Sequence, residues 1–454
     1  MKNRKGKLIL FLVSAVFLFI SCKKSDETNT KSINLAFEAP DWSINAVIYE
    51  VNTRQYTKEG TFNAFLTHLP KLKEMGIDIL WFMPIHPIGE KNRKGSLGSY
   101  YSVKNYKTIN PEFGTFEDFK NLVKEAHSLG IYVIIDWVAN HTAWDNEWTK
   151  SHPEFYTRDS TGNFVSPFDW TDVIDLNYDN KELWNYMRDA MKFWVDECNI
   201  DGFRCDVAAM VPLEFWKWLR PQLETNKKLF MLAEASEPEL HEVFDMTYNW
   251  QLKDLFVGIA EGKKNADDLH ALFENEKREY PAKAYRMVFT TNHDENSWHG
   301  TDKERFGKFA KQFAIITGVV PGMPLVYSGM EGGLDKRLLF FEKDPINWKE
   351  SEYRSIYTKL FKLKKENKAL WNGVNGGEII KIDLGDPSLL AFVREKENNK
   401  ILALFNLSNV KKKIILKNKL AVGEYKNLWT DANQLIDENF SLTLDPLTNV
   451  IFYK

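Results

Sequence analysis

Charged and hydrogen-bonding residues recur in this sequence at one kind of place, the end of an apolar run. Asp136, Asn140 and His141 close one such run in Asp-Trp-Val-Ala-Asn-His, and Arg204 and Asp206 sit in Gly-Phe-Arg-Cys-Asp-Val. Glu234 ends another, and His293 and Asp294 follow Thr-Thr-Asn in a further one. A carboxylate in an apolar strand costs several kcal/mol unless it is paired or hydrogen-bonded. One such residue would have a structural explanation. So many acids, with an arginine and two histidines, are better explained as a site. Arg204 and Asp206 stand two apart, so on a strand they point the same way, and the guanidinium can hold the carboxylate by a charge-assisted hydrogen bond. Carboxylates gathered like this can attack as nucleophiles and carry protons once burial and neighbouring acids set their pKa values apart.

Something must bring these residues to one mouth. Short apolar runs at 46–51, 77–83, 131–138, 202–207, 229–234, 243–246, 287–292 and 323–328 alternate with amphipathic stretches at 61–75, 115–129, 181–198, 213–224 and 302–317. Most of the runs are continuously apolar, as in parallel strands buried on both faces. Eight strands alternating with helices predict a (β/α)8 barrel, with a doubly wound sheet as the alternative fold. The connection at 142–180 is overlong and rich in Trp, Asp, Pro and Gly. It leaves the C-terminal end of the third strand, where barrel active sites sit. After about residue 367 the pattern changes to short strands at 377–382, 389–395, 401–407, 411–416, 424–429, 440–444 and 449–453. Gly, Asn and Asp turns separate them, which predicts an antiparallel β-sandwich. The expected organisation is a signal segment at 1–22, a tether at 23–40, a barrel at 41–366 with 142–180 as an inserted loop domain, and the sandwich at 367–454.

The first residues read as a targeting segment. Lys2, Arg4, Lys5 and Lys7 precede an apolar run at 8–20, too short to span a bilayer comfortably. It ends in Leu-Phe-Ile-Ser-Cys, which resembles a bacterial lipoprotein signal with Cys22 as the lipidated residue. The expected location is therefore the cell envelope, with a lipid anchor in a membrane and a polar tether after it. Cys198 and Cys205 read as small core residues. With 60 basic and 63 acidic residues, nothing suggests a polyanion-binding surface, and nucleic acid is a poor partner.

The sequence resembles the α-amylase family of glycoside hydrolases from about Trp42 to the C-terminus. Four regions match in order: 136–141, 202–206, the strand end at Glu234, and 289–294. Asp175-Leu176-Asn177 resembles the family's fifth region, and Tyr101 matches a tyrosine that stacks on the sugar being cleaved. The resemblance implies an α-glucan or maltooligosaccharide substrate and no organic cofactor. It makes Asp206 the nucleophile, Glu234 the general acid and base, and Asp294 the carboxylate that binds hydroxyls of the distorted sugar. Arg204 would hold Asp206 ionised, and His141 and His293 would donate hydrogen bonds to the same ring. Retaining chemistry of this kind wants its two carboxyls about 5–5.5 Å apart. The resemblance further implies that Asn140 and Asp175 join backbone carbonyls around a structural calcium; relatives occur with and without that ion. Ala209 and Met210 stand where family α-amylases commonly carry Lys-His, and Val207 resembles the pattern of enzymes preferring α-1,6 bonds. The linkage, α-1,4 or α-1,6, stays open at this point. So does the choice between hydrolysis and transglycosylation or sucrose chemistry, and a non-catalytic glucan-binding lipoprotein is the alternative of another class.

Overall fold

The computed structural model of the protein describes residues 37–454. Each of the eight apolar runs contributes to one of the eight parallel strands of a closed barrel, although the run at 243–246 shares only Met246 with its strand. The strands are β1 (Ile48–Val51), β2 (Ile79–Phe82), β3 (Tyr132–Trp137), β4 (Gly202–Cys205), β5 (Phe230–Ala233), β6 (Met246–Tyr248), β7 (Tyr285–Val288) and β8 (Met323–Tyr327). β7 ends earlier than the run at 287–292 predicted, so the polar stretch from Thr290 to Asp294 leaves the strand as loop. Closure joins β1 to both β2 and β8, with Glu50 opposite Trp81 on one side and Tyr327 on the other.

Side chains alternate across each strand. Ile48, Ile79, Ile134, Leu232, Met246, Met287 and Leu325 fill the barrel interior as one buried cluster. The residues between them, such as Val47, Leu80, Val133, Phe203, Met231 and Val326, pack on the surrounding helices. Each of these larger side chains contributes roughly 1.5–3 kcal/mol of burial. The inward series is apolar at the bottom of the barrel and charged at the top. Ile48 leads to Glu50, Ile134 to Asp136, and Leu232 to Glu234.

Helices begin where caps specify them. Thr115 and Asp118 form a capping box at Phe116–Ser128, and Asn180 caps Lys181–Cys198. The stretch at 61–75 is two helices, Phe62–Leu66 and Leu69–Met75, because Pro70 cannot continue the first one. The stretch at 302–317 breaks at Gly307, which sits at φ 54°. Helices Trp250–Ala260, Ala266–Glu279 and Glu352–Glu366 complete the alternation.

The connection after β3 folds around a short antiparallel pair, His141–Ala143 with Val173–Asp175. Beyond the barrel lies a six-stranded antiparallel sheet and a two-stranded one, Lys412–Ile415 with Ser441–Leu444. The sequence pattern missed the edge strand Asn433–Ile436, whose residues are largely exposed and polar. One face of the large sheet packs on the small sheet through Val393, Leu402, Leu404, Ile414 and Leu444. Its other face, with Phe392, Ala403 and Phe405, joins the core shared with the barrel helices.

Candidate active site

Arg204 is the hub. It is fully buried on β4, directly across from Asp136 in the β3–β4 register. Its Nη1 donates to Asp136 Oδ1 at 2.8 Å and to Asp206 Oδ1 at 2.9 Å. Nη2 lies 2.9 Å from Glu234 Oε1, and Nε donates to Tyr248 Oη at 3.1 Å. The rings of Trp81, Tyr101 and Tyr248 stand around it, 5.0, 5.7 and 5.9 Å away. A planar cation with fixed donors and aromatic walls can hold several carboxylates in one arrangement, which a lysine could not.

Strand register sets where the two acids emerge. Asp206 N donates to Trp137 O at 2.9 Å and Glu234 N to Cys205 O at 3.0 Å, so each carboxylate tops its strand beside the other. The chain then turns through Val207 at φ 37°, a left-handed conformation that is costly for a β-branched residue. In that conformation Val207 N–H donates to Glu234 Oε2 at 2.7 Å. Asp136 also accepts from Trp81 Nε1 at 3.1 Å and Tyr101 Oη at 3.0 Å, and so ties the arginine down.

Environment separates the acids. Burial pushes Glu234 up to about 7, with Arg204 opposing and Asp206 and Asp294 adding to the rise. Burial lifts Asp206 to about 6 against the pull of Arg204. Both acids are thus held above the ordinary carboxylate range, so near neutrality the pair can keep a proton to give while Arg204 favours an anion beside it, as an acid and a nucleophile require. Asp294 opens to the cleft, its side chain 39% exposed. Desolvation there raises its pKa, but the His293 ring 3.3 Å away outweighs this and lowers it to about 2.

The two histidines differ. Burial lowers His141 to about 3, so it is neutral. Asn140 Nδ2 lies 3.3 Å from its Nδ1, and an amide donor there leaves the hydrogen on Nε2. Trp170 packs edge-on against this ring at 5.4 Å. His293 is lowered by burial too, yet Asp294 and Glu50 on either side raise it well above its ordinary value. Tyr101 stacks on His293 at 5.3 Å, and its hydroxyl reaches His293 Nε2 at 2.8 Å.

The structure therefore brings Tyr101, Arg204, Asp206, Glu234, His293 and Asp294 into one network. Cys22 lies outside the described residues. Sequence reasoning missed Glu50, Trp81, Tyr248 and the half-exposed Trp298, whose Nε1 donates to Asp294 Oδ1 at 3.2 Å. Glu50 had a signal, an acid inside the apolar run at 46–51. The aromatic residues had none, since they read as core.

Asn140 and Asp175 were expected to share a calcium ion. The carbonyls beside them are engaged: Tyr106 Oη donates to Val138 O at 2.6 Å and to His141 O at 3.2 Å, and Tyr178 Oη donates to Ala139 O at 2.7 Å. Leu176 N donates to Asn140 O at 3.0 Å, and the Asn140 amide is turned to His141. Among the described residues no group of three acids, cysteines or histidines is placed to hold a metal ion. Calcium takes roughly six to eight oxygens. No chemical step below runs through a metal.

Residues 21–172 and 156–372 match the family model of the alpha-amylase catalytic domain. The chain belongs to the alpha-amylase family. It is an alpha-amylase-type glycosidase, and cleavage of glycosidic bonds is its chemistry. A maltogenic alpha-amylase, AmyB from Thermotoga neapolitana, is similar in structure at TM-score 0.82 and 32% identity, covering 90% of this chain and 98% of that one. An alpha-amylase from Lactobacillus plantarum superposes at TM-score 0.80 with 30% identity, covering 90% of this chain and 99% of that one. Alpha-amylase 3 of Dictyoglomus thermophilum is 24% identical across 87% of this chain and 92% of its own length. An alpha-1,4-glucan:maltose-1-phosphate maltosyltransferase of Picrophilus torridus is 27% identical across 86% of this chain and 64% of its own.

Proposed function

We propose that the chain hydrolyses α-glucosidic bonds of short linear α-glucans or cyclic maltodextrins with retention of configuration, acting first on α-1,4 bonds. One observation carries this reading: the Asp206 and Glu234 carboxylates top neighbouring strands and share the Arg204 guanidinium, Asp206 on Nη1 and Glu234 on Nη2. An Asp206 oxygen attacks C1 of the bound sugar while Glu234 gives its proton to the leaving oxygen, breaking the C1–O bond. A glycosyl ester on Asp206 remains. Water then enters, Glu234 takes one of its protons, the oxygen bonds to C1, and the ester bond breaks to restore the Asp206 carboxylate. Positive charge gathers on the ring in both transition states, and the Asp294 anion beside it favours them. His141 donates from Nε2 to a ring hydroxyl.

Substrate size follows from the walls. Ala209 and the 41%-exposed Met210 offer no charge beyond the cleaved bond, and Phe168 and Trp170 form an aromatic rim on the loop after β3. This suits short chains with loose discrimination on the leaving side. Asp206→Asn tests the reading, because an amide keeps the shape and cannot form the ester. Activity on maltotriose should fall by ~10⁴-fold or more with the fold intact; a loss under tenfold would refute the assignment. Glu234→Gln should lose less on substrates whose leaving group needs no proton.

Transfer to a sugar acceptor is the second reading, favoured by the similarity to the maltosyltransferase. Product analysis with maltotriose separates them, since products longer than the substrate appear only on transfer. Before the barrel, we infer a lipid anchor at Cys22 that holds the enzyme at a membrane of the cell envelope. Cys22→Ser should move the protein to the soluble fraction, and unchanged partitioning into detergent would count against the anchor.

A further inference from the structure

Glu50 takes no part in the chemistry above, yet it stands fully buried on β1 in the inward series, directly beneath the site. Its Oε1 meets His293 Nδ1, and among the described residues its Oε2 has no hydrogen-bond partner. The carboxylate thus depends on one ring for its compensation, and an uncompensated buried charge is expensive. On the other side of the ring the protons can be counted. Tyr101 has one hydroxyl hydrogen, and it goes to Asp136 Oδ2 at 3.0 Å. Its oxygen can then only accept from His293 Nε2, 2.8 Å away, so Nε2 carries a hydrogen. A further proton lies between Nδ1 and Glu50, and Asp294 Oδ2, 3.3 Å from Nε2, favours placing it on the ring.

We propose that Glu50 is a positioning residue that keeps His293 an imidazolium, and that this cation in turn holds Asp294 ionised and fixes the Tyr101 hydroxyl on Asp136. The proposal rests on the hydrolase reading only for its effect on turnover. The chain of contacts runs from Glu50 through His293, Tyr101 and Asp136 to Arg204, and ends on Asp206. Other groups facing the pair are Trp81 on β2, Tyr248 on β6 and Tyr327 on β8, all uncharged at working pH. Arg204, the cation nearest this network, is held by the three carboxylates of Asp136, Asp206 and Glu234. Consistent with this arrangement, the two flanking acids raise His293 well above the ordinary histidine value even though burial works against them.

The test reads the ring itself. In the full chain labelled with ¹⁵N-histidine, the resonances absent from a His293→Asn variant identify His293. The wild-type ring should still show two protonated nitrogens at pH 8. Glu50→Gln keeps the shape and removes the charge, and should lower the His293 titration midpoint by at least one pH unit. Its kcat on maltotriose should fall by ~10²-fold with a smaller change in KM. A neutral His293 at pH 8 in the wild type overturns the proposal whether or not the variant folds. An unchanged midpoint in Glu50→Gln overturns it as well. The hydrolase reading fails separately, through Asp206→Asn, so the two failures are distinguishable.

Discussion

Asp206 and Glu234 lean on the same guanidinium through different contacts. Asp206 takes a direct hydrogen bond from Nη1, whereas Glu234 has an ion pair to Nη2 and a backbone N–H. The nucleophile must be ionised, so activity is lost as pH falls through the Asp206 value of about 6. The acid must be protonated, so activity is lost as pH rises through the Glu234 value of about 7. A narrow bell for kcat/KM on maltotriose is therefore expected between about pH 6 and about 7, with limbs belonging to the interacting set rather than to single residues. A flat profile from pH 5 to 9 would contradict this division of roles.

At the scale of elements, the site depends on close approach between strands. Gly202 opens β4, and a Cβ there would stand 1.9 Å from Phe230 O on β5. Gly202→Ala should push the strand that carries Arg204 and Asp206 off its register. The expected cost is ~3 kcal/mol or more by denaturant unfolding, beyond the ordinary range for a methyl group. The long connection is fastened by Tyr106 and Tyr178, whose hydroxyls hold carbonyls of residues 138, 139 and 141. Removing either hydroxyl leaves a buried carbonyl short of a donor, so Tyr106→Phe or Tyr178→Phe should cost about 1–3 kcal/mol. Chelation with EDTA should leave Tm unchanged. A Tm drop of more than a few degrees on chelation, restored by calcium, would show that an ion does the fastening.

At the scale of the molecule, barrel and sandwich share a buried seam. Arg394 on the strand Leu389–Lys396 is 1% exposed and, among the described residues, without an acidic partner, and burial lowers it to about 9. Its Nε donates to Gly377 O and its Nη1 to Val319 O, both at 2.9 Å. Lys364 nearby donates to Gly322 O at 3.3 Å and Asn372 Oδ1 at 2.8 Å. Arg394→Met should destabilise by about 2–4 kcal/mol through the two orphaned carbonyls. Hydrogen exchange should quicken first in residues 389–406, while kcat at 25 °C stays within a factor of two, since the seam touches no residue of the carboxylate network.

The strands were legible because their signal is local. Continuous apolar runs with an acid or arginine at one end mark β3, β4 and β5, and the two-residue period already faced Arg204 and Asp206 the same way. The order of the motifs named the chemistry. Other features left no local trace. Asn433–Ile436 buries little beyond Ile436, so it lacks a strand pattern, and Pro70 and Gly307 divide stretches whose periodicity runs on. Most of all, the opposite shifts in proton affinity of His141 and His293 are invisible in sequence. One ring is buried against an amide and a tryptophan. The other lies between two carboxylates, one of them on a residue 243 positions away. Periodicity decides which face of a strand a residue occupies. Proton affinity depends on what stands within a few ångströms, and only barrel closure, which sets β1 beside β8, puts Glu50 under His293.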